Sequence, residues 1–268
     1  DPLWSRGLGD VYKRQVIAAR PSMGKTALAM NIAEHISLES GKAVAIFSLE
    51  MSSQQLVQRL LCSRARVGME KVRNGMLNEF TMNSLYKAAS QLSESKIFID
   101  DTAGLSILEL RAKARRLAKE HQIAAIFIDY LQLLKSPSRR GQENRQLEIA
   151  EISSGIKALA KELNIPIVVL AQLNRNPEQR GGGKEGSKGR PRLSDLRESG
   201  TIEQDADMVG LLVREEYYAE NDNEREESQG KATLIIAKNR NGPVGDVPLT
   251  FCKEFTRFEN RARDEEHS

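Results

Sequence analysis

The chain has 268 residues, 40% of them hydrophobic and 29% charged, with a net charge of +3; the length allows one large α/β core or two domains of ~100–200 residues, and the charge is too balanced to argue for a nucleic-acid partner except through local clustering. No apolar run approaches the ~18 residues of a membrane span and no signal peptide is visible. Two cysteines, Cys62 and Cys252, with no CxxC pair indicate neither a zinc site nor a disulfide framework, so a cytoplasmic protein without a membrane partner is expected.

Residues 1–15, DPLWSRGLGDVYKRQ, carry the only tryptophan, Trp4, and show no strand or helix period. They read as a foreign or disordered leader; Asp10 to Gln15 resembles the translated end of a sequencing adapter. The next stretch carries chemistry. Val16 to Ala19 is a short apolar run, Arg20 to Gly24 a tight Pro/Ser/Gly segment, and Leu28, Ile32, Ala33 and Ile36 recur at helical spacing. Strand, loop and helix around Gly24-Lys25-Thr26 make Ala19, Arg20, Pro21, Ser22, Met23, Gly24, Lys25, Thr26 and Ala27 a candidate phosphate-binding loop. Its backbone N–H groups would surround the β/γ-phosphates of ATP, Lys25 would neutralise the γ-phosphate, and the Thr26 hydroxyl would coordinate Mg²⁺. Ala19 stands where the strict GxxxxGK[ST] pattern has its first glycine, which an alanine satisfies if its φ is negative. The plain alternative is a glycine turn beside a surface lysine.

Lys42 to Glu50 reads as a buried strand ending on a carboxylate, and Ser52 with Gln55 forms a capping box for the next helix. Ligands of open α/β sheets lie beyond the carboxyl ends of the strands, so Glu50 should face the crevice of Lys25 and can act as general base on water. A strand-end acid serving a neighbouring helix N-terminus is the alternative. A helix is expected after Thr81. Lys96 to Asp101 is a strand ending in acid, Ser106 and Glu109 make a second capping box, and Ile123 to Tyr130 is a third strand ending in Asp129. Asp100, Asp101 and Asp129 all end apolar strands, and spacing does not decide which would hold Mg²⁺ through a water.

Ser136 to Arg145 reads as a loop, followed by a long helix and then by the strand Ile165 to Leu173, whose end places Gln172 within reach of a γ-phosphate. Strands alternating with helices call for a mostly parallel sheet flanked by helices. Asn174 to Arg197 is rich in Gly, Arg and Lys and reads as a mobile basic loop that can track a phosphate backbone or lie idle in solvent. Met208 to Glu215 is strand-like, Glu215 to Gly230 reads as a disordered excursion, and Lys231 to Phe251 as a C-terminal hairpin around Asn241-Gly242-Pro243. Lys238 and Arg240 precede that turn. They can stabilise phosphate charge across a subunit interface, or serve as edge charges that discourage strand pairing. Residues 260–268 read as a disordered tail.

Taken together, ARPSMGKTALAMNIA, FSLEMS, IFIDYLQLL, LAQLNR, LRESGTIEQDAD and AKNRNGPVG, in this order, closely resemble the ATPase domain of bacterial replicative DNA helicases of the DnaB type. Six ordered motifs over about Val16 to Glu259 are far more specific than one phosphate loop. The resemblance implies an α/β, RecA-like P-loop NTPase domain over 16–259, ATP and Mg²⁺ as ligands, a ring of six copies, and single-stranded DNA in its channel. It further implies Lys25 and Thr26 on ATP and Mg²⁺, Glu50 as catalytic base, Asp129 as the metal-side acid and Gln172 as phosphate sensor. Lys238 and Arg240 would act on the adjacent subunit's nucleotide, Arg59 would lie near the nucleotide, and Arg197, Glu198 and Gly200 would contact DNA. The family also has an N-terminal collar and a linker helix with no counterpart in this sequence; a primase and a helicase loader are expected partners of a full-length member. The expectation is an ATP-driven 5′-to-3′ helicase motor. A RecA-like recombination or repair ATPase and a nucleotide-binding regulatory module are the rivals, and Glu50 argues against the second.

Overall fold

The computed structural model describes residues 14–136, 144–174, 190–219 and 221–261, without the side chains of 197–201. Residues 1–13 and 262–268, in the expected leader and tail, lie outside the described residues, as do Arg139, Arg140 and the glycine-rich centre of the expected basic loop at 175–189.

The apolar runs become strands because each is buried on both faces. β1 (Arg14–Ala19) begins inside the span read as leader and alternates strictly. Val16 and Ala18 pack into one core layer, Ile17 and Ala19 into the other. β2 (Ala43–Ser48), β4 (Ile123–Asp129) and β5 (Ile167–Gln172) divide their side chains in the same way, which is why these stretches read as continuous apolar sequence without a polar face. With β3 (Ile97–Asp100), β6 (Met208–Arg214), β7 (Lys231–Asn239), β8 (Gly245–Cys252) and β9 (Arg257–Asn260) they form a nine-stranded sheet in the order β3-β2-β4-β5-β1-β6-β7-β8-β9. Pairing is parallel from β3 through β6 and antiparallel from β6 to β9. The expected mostly parallel sheet with a C-terminal hairpin is present, extended by β9.

One layer holds α1 (Lys25–Leu38) and α2 (Ser53–Ala65), with the short α3 (Met69–Arg73) and α4 (Glu79–Ser93) outside α2. The other holds α5 (Ile107–His121), α6 (Arg145–Leu163) and α7 (Gly200–Asp205). Both predicted capping boxes form: Ser52 with Gln55 on α2, Ser106 with Glu109 on α5. α5 and α6 approach so closely that a Cβ on Gly155 would lie 2.8 Å from Ile107 Cγ1. Among the described residues no helix is long and apolar enough to cross a membrane.

Three expectations need correction. The described residues between Glu215 and Gly230 carry regular structure: a 3-10 turn over Glu215–Tyr217, and α8 (Asp222–Glu227), capped by the Asn221 side chain on Glu224 N. Its polar composition hid it because the cap, not an apolar stripe, starts that helix. The end of the supposed mobile loop packs: Leu196 and Asp195 are buried, and Asp195 accepts from Arg192 N at 2.7 Å. Arg145 is the first residue of α6 rather than part of the preceding loop, and Asn144 caps that helix.

Candidate functional site

The turn after β1 delivers α1 with an open N-terminus. α2, α4, α5, α6 and α8 are each capped by a serine or asparagine side chain, whereas α1 starts at Gly24 with no side-chain cap and no acid in its first turn. Its first N–H groups and its positive dipole end are therefore left for an external anion. Gly24 sits at φ +93°, and a Cβ there would stand 3.0 Å from the Phe258 ring, so glycine is required both by conformation and by space. Ser22 adopts φ +66°, while Ala19 is not among the positive-φ residues, so alanine fits the position of the missing first glycine. The loop is held from outside. Arg20 donates to Leu173 O at 3.2 Å, and the buried Arg214 donates to Ser22 O at 3.3 Å while lying 3.9 Å over the Phe251 ring and pairing with Glu216. Within the loop Met23 and Ala27 are buried, and Pro21 and Ser22 are exposed.

Behind the loop, Thr26 Oγ1 donates to Asp129 Oδ2 at 2.6 Å and Lys25 Nζ stands 3.6 Å from Asp129 Oδ1. Lys25 also lies 4.4 Å over the ring of Tyr130. Asp129 is buried, and its Oδ1 has no hydrogen-bond partner among the described residues. An orphaned carboxylate oxygen beside a hydroxyl whose proton is already committed suits a hard, oxygen-seeking cation such as Mg²⁺. Asp100 and Asp101 are engaged elsewhere. Asp100 pairs with Lys113 at 2.6 Å; burial raises its pKa, but hydrogen bonds from Lys113 and Thr102 outweigh that and hold it below the usual carboxylate range. Asp101 accepts from Ser53 N at 2.7 Å and adds charge to the start of α2.

Glu50 is exposed just beyond β2, whose Ser48 is in register with Asp129. The turn that carries it is closed by Ser48, which donates to Met51 O at 2.6 Å, and is pinned to β4 by Leu49 N on Asp129 O at 2.7 Å. Burial, then the charges of Glu50 and Asp129, push the Tyr130 phenol above its ordinary pKa, so the ring under Lys25 stays uncharged. Gln172 is exposed and in register with Ala19. Lys25, Thr26, Asp129, Glu50 and Gln172 thus share the carboxyl edge of the sheet. Arg59 is exposed on α2.

Lys238 and Arg240 are not brought to this edge. Lys238 pairs with Val209, which pairs with Val16, so the two cations sit at the amino edge. Along β1 the loop lies about 10 Å beyond the level of Lys238 and about 17 Å beyond that of Arg240. Arg197, Glu198 and Gly200 fall on the backbone of a 3-10 turn (Leu193–Ser199) and the start of α7, and their side chains lie outside the described residues. Sequence reasoning missed Arg214, Tyr130 and Asp207. An arginine closing the apolar run of β6 was the one available signal, since a charge at a buried strand end needs a reason.

Comparison with known proteins adds a family. The pattern described as DnaB-like helicase C terminal domain matches residues 10–260. The replicative DNA helicase DnaB of Geobacillus stearothermophilus is 48% identical over 248 residues, spanning 92% of this chain and 52% of that protein. The replicative DNA helicase DnaC of Bacillus subtilis (strain 168) is 47% identical over 248 residues, again with 92% and 52% covered. This chain therefore spans about half the length of these relatives. Among solved structures, one described as an ATPase domain superposes with a TM-score of 0.85 at 38% identity, covering 94% of this chain and 85% of that one. A DnaB-like replicative helicase, described together with its interactions with primase, superposes with a TM-score of 0.84 at 38% identity, covering 94% and 58%.

Proposed function

The chain belongs to the DnaB-like helicase C-terminal domain family and has its RecA-like P-loop fold, and from that membership we propose that it is the ATP-hydrolysing motor domain of a replicative DNA helicase. The observation that carries this reading is the cluster of Lys25, Thr26 and Asp129 beneath the uncapped N-terminus of α1. ATP lies with its phosphates on the N–H groups of the loop, and Lys25 swings from Tyr130 and Asp129 onto the γ-phosphate. Thr26 and Asp129 would hold Mg²⁺, which would supply neutralising charge to the triphosphate. Glu50 takes the proton of the attacking water, and Gln172 contacts the γ-phosphate from the neighbouring strand. Arg240 and Lys238 act on the nucleotide of an adjoining copy, since neither reaches the loop of its own chain.

The functional assembly is a homo-hexameric ring around single-stranded DNA, moving 5′ to 3′, with Arg197, Glu198 and Gly200 on the DNA. Primase is a partner of the full-length protein, as it is of the superposed DnaB-like helicase, and a helicase loader is expected beside it. Lys25→Ala is expected to abolish ATP hydrolysis and strand displacement on a forked duplex. Unchanged hydrolysis in that variant would remove the phosphate-loop assignment.

A further inference from the structure

The two cations that act across a subunit boundary are already occupied within their own chain. Lys238 Nζ donates to Glu203 O at 2.6 Å and Gln204 O at 3.2 Å. Arg240 Nη2 donates to Gln204 O at 2.6 Å, and its Nη1 to Asp207 Oδ1 at 3.2 Å. Glu203 and Gln204 lie in the last turn of α7, where carbonyls have no helical partner and carry the negative end of the helix dipole. Burial, then the charge of Arg240, push the Lys238 pKa down, so the two cations do crowd one site.

Asp207 is the fixed point of this arrangement. It is buried, its Oδ2 accepts from Arg14 N at 3.1 Å, and its own N–H donates to Arg14 O at 2.9 Å, tying it to the backbone of β1. On the other side, Arg240 N donates to Asp207 O at 2.9 Å. Both carboxylate oxygens are therefore spoken for, one by the sheet and one by Arg240. The turn beyond is stiff: Asn239 Nδ2 donates to Pro243 O at 3.2 Å, and a Cβ on Gly242 would meet that same Nδ2 at 2.7 Å. Two of the five guanidinium N–H donors are used in these contacts, and the rest remain for a phosphate. The Arg240 side chain is 45% exposed.

α7 follows directly on the 3-10 turn that carries Arg197 and Glu198. We propose that Asp207 is a positioning residue: with the last carbonyls of α7 it sets the reach of Arg240 toward the neighbouring subunit's nucleotide, and makes that reach depend on the DNA-contacting segment. The inference rests on the reading that Arg240 acts in trans. Displacing α7 changes which of its carbonyls the Arg240 guanidinium meets while Asp207 stays fixed to β1, so DNA engagement is converted into a change in the direction of the guanidinium.

The test is steady-state ATP hydrolysis with and without a single-stranded oligonucleotide for the unaltered protein, Asp207→Asn, Arg240→Lys and Arg240→Ala, with melting temperatures beside the rates. Asp207→Asn is expected to lower kcat at saturating DNA ~10–100-fold, as small misplacements of a reacting group do, with KM for ATP unchanged. In the double variant with Arg240→Ala the loss should not exceed that of Arg240→Ala alone. Arg240→Lys keeps the charge and loses the fork, and should fall as far as Asp207→Asn. A merely structural role for Asp207 would lower the melting temperature and leave this split between kcat and KM unmoved. If Arg240→Ala is slow while Asp207→Asn and Arg240→Lys keep the unaltered kcat, the positioning role is overturned and the action in trans stands. If Arg240→Ala keeps the unaltered kcat, both fall. Should Asp207→Asn fail to fold, Arg240→Lys decides, and an unaltered kcat there overturns the inference.

Discussion

Arg14 is a cation placed where the sheet needs an apolar side chain. It is fully buried, donates to Ser153 O, Ser153 Oγ and Ile202 O, and leaves its Nε without a partner among the described residues. Burial lowers its pKa to about 10, although Asp205 and Asp207 pull it upward. The folded state thus holds the proton less tightly than the unfolded state; the penalty is fully present below about pH 10 and is relieved as pH rises from there toward the unfolded guanidinium's ordinary value. Asp207 keeps Arg240, and Asp205 keeps Lys157 at 3.8 Å, when Arg14 is removed. Arg14→Leu is therefore expected to raise the unfolding free energy by about 1–4 kcal/mol at neutral pH, measured by urea denaturation; a loss of stability would show that the buried ion pairs outweigh the desolvation. At this scale the sequence was legible where a residue acts locally. Lys25, Thr26 and Gly24 were readable from spacing, and Asp129 narrowed to one of three acids. Spacing left the choice among the acids open; the family resemblance implied Asp129, and its contacts with Thr26 and Lys25 support that choice. Arg214 and Asp207 were not legible because each works through contacts nearly two hundred positions away, on Ser22 and Arg14.

Helix starts were the most legible elements because their signals lie within four residues. The capping boxes at Ser52 and Ser106 formed as spelled. Ser106→Ala should cost about 1 kcal/mol and lower Tm by about 2–4 °C in a chain of this size; an unchanged Tm would show that Ile107 N on Lys135 O and the neighbouring packing hold that end without the cap. α3, α8 and β9 escaped the reading for a common reason. Each is six residues or fewer and lacks an apolar period of its own, so tertiary contacts decide it. For β9 these include Phe258 N donating to Asn31 Oδ1 at 2.8 Å and Arg257 reaching the buried Glu34 on α1. These contacts also bring the Phe258 ring against Gly24, so a strand invisible in the sequence braces the phosphate loop.

On the proposed function, one copy does not complete its own chemistry. Parallel pairing puts the ends of β1, β2, β4 and β5 at one edge, gathering the loop, Glu50, Asp129 and Gln172 there, while the antiparallel return through β7 carries Lys238 and Arg240 to the other. Strand alternation and the strand-end acids made this half of the architecture readable in advance; which edge the hairpin faces depended on β7 running antiparallel to β6, which no local pattern states. The most direct test mixes two inactive proteins, Lys25→Ala and Arg240→Ala. In mixed assemblies, an Arg240→Ala subunit with its phosphate loop intact meets a Lys25→Ala neighbour that still presents Arg240. The account predicts that the mixture hydrolyses ATP when neither protein does so alone; a mixture as inactive as its components would contradict a site shared between adjoining copies.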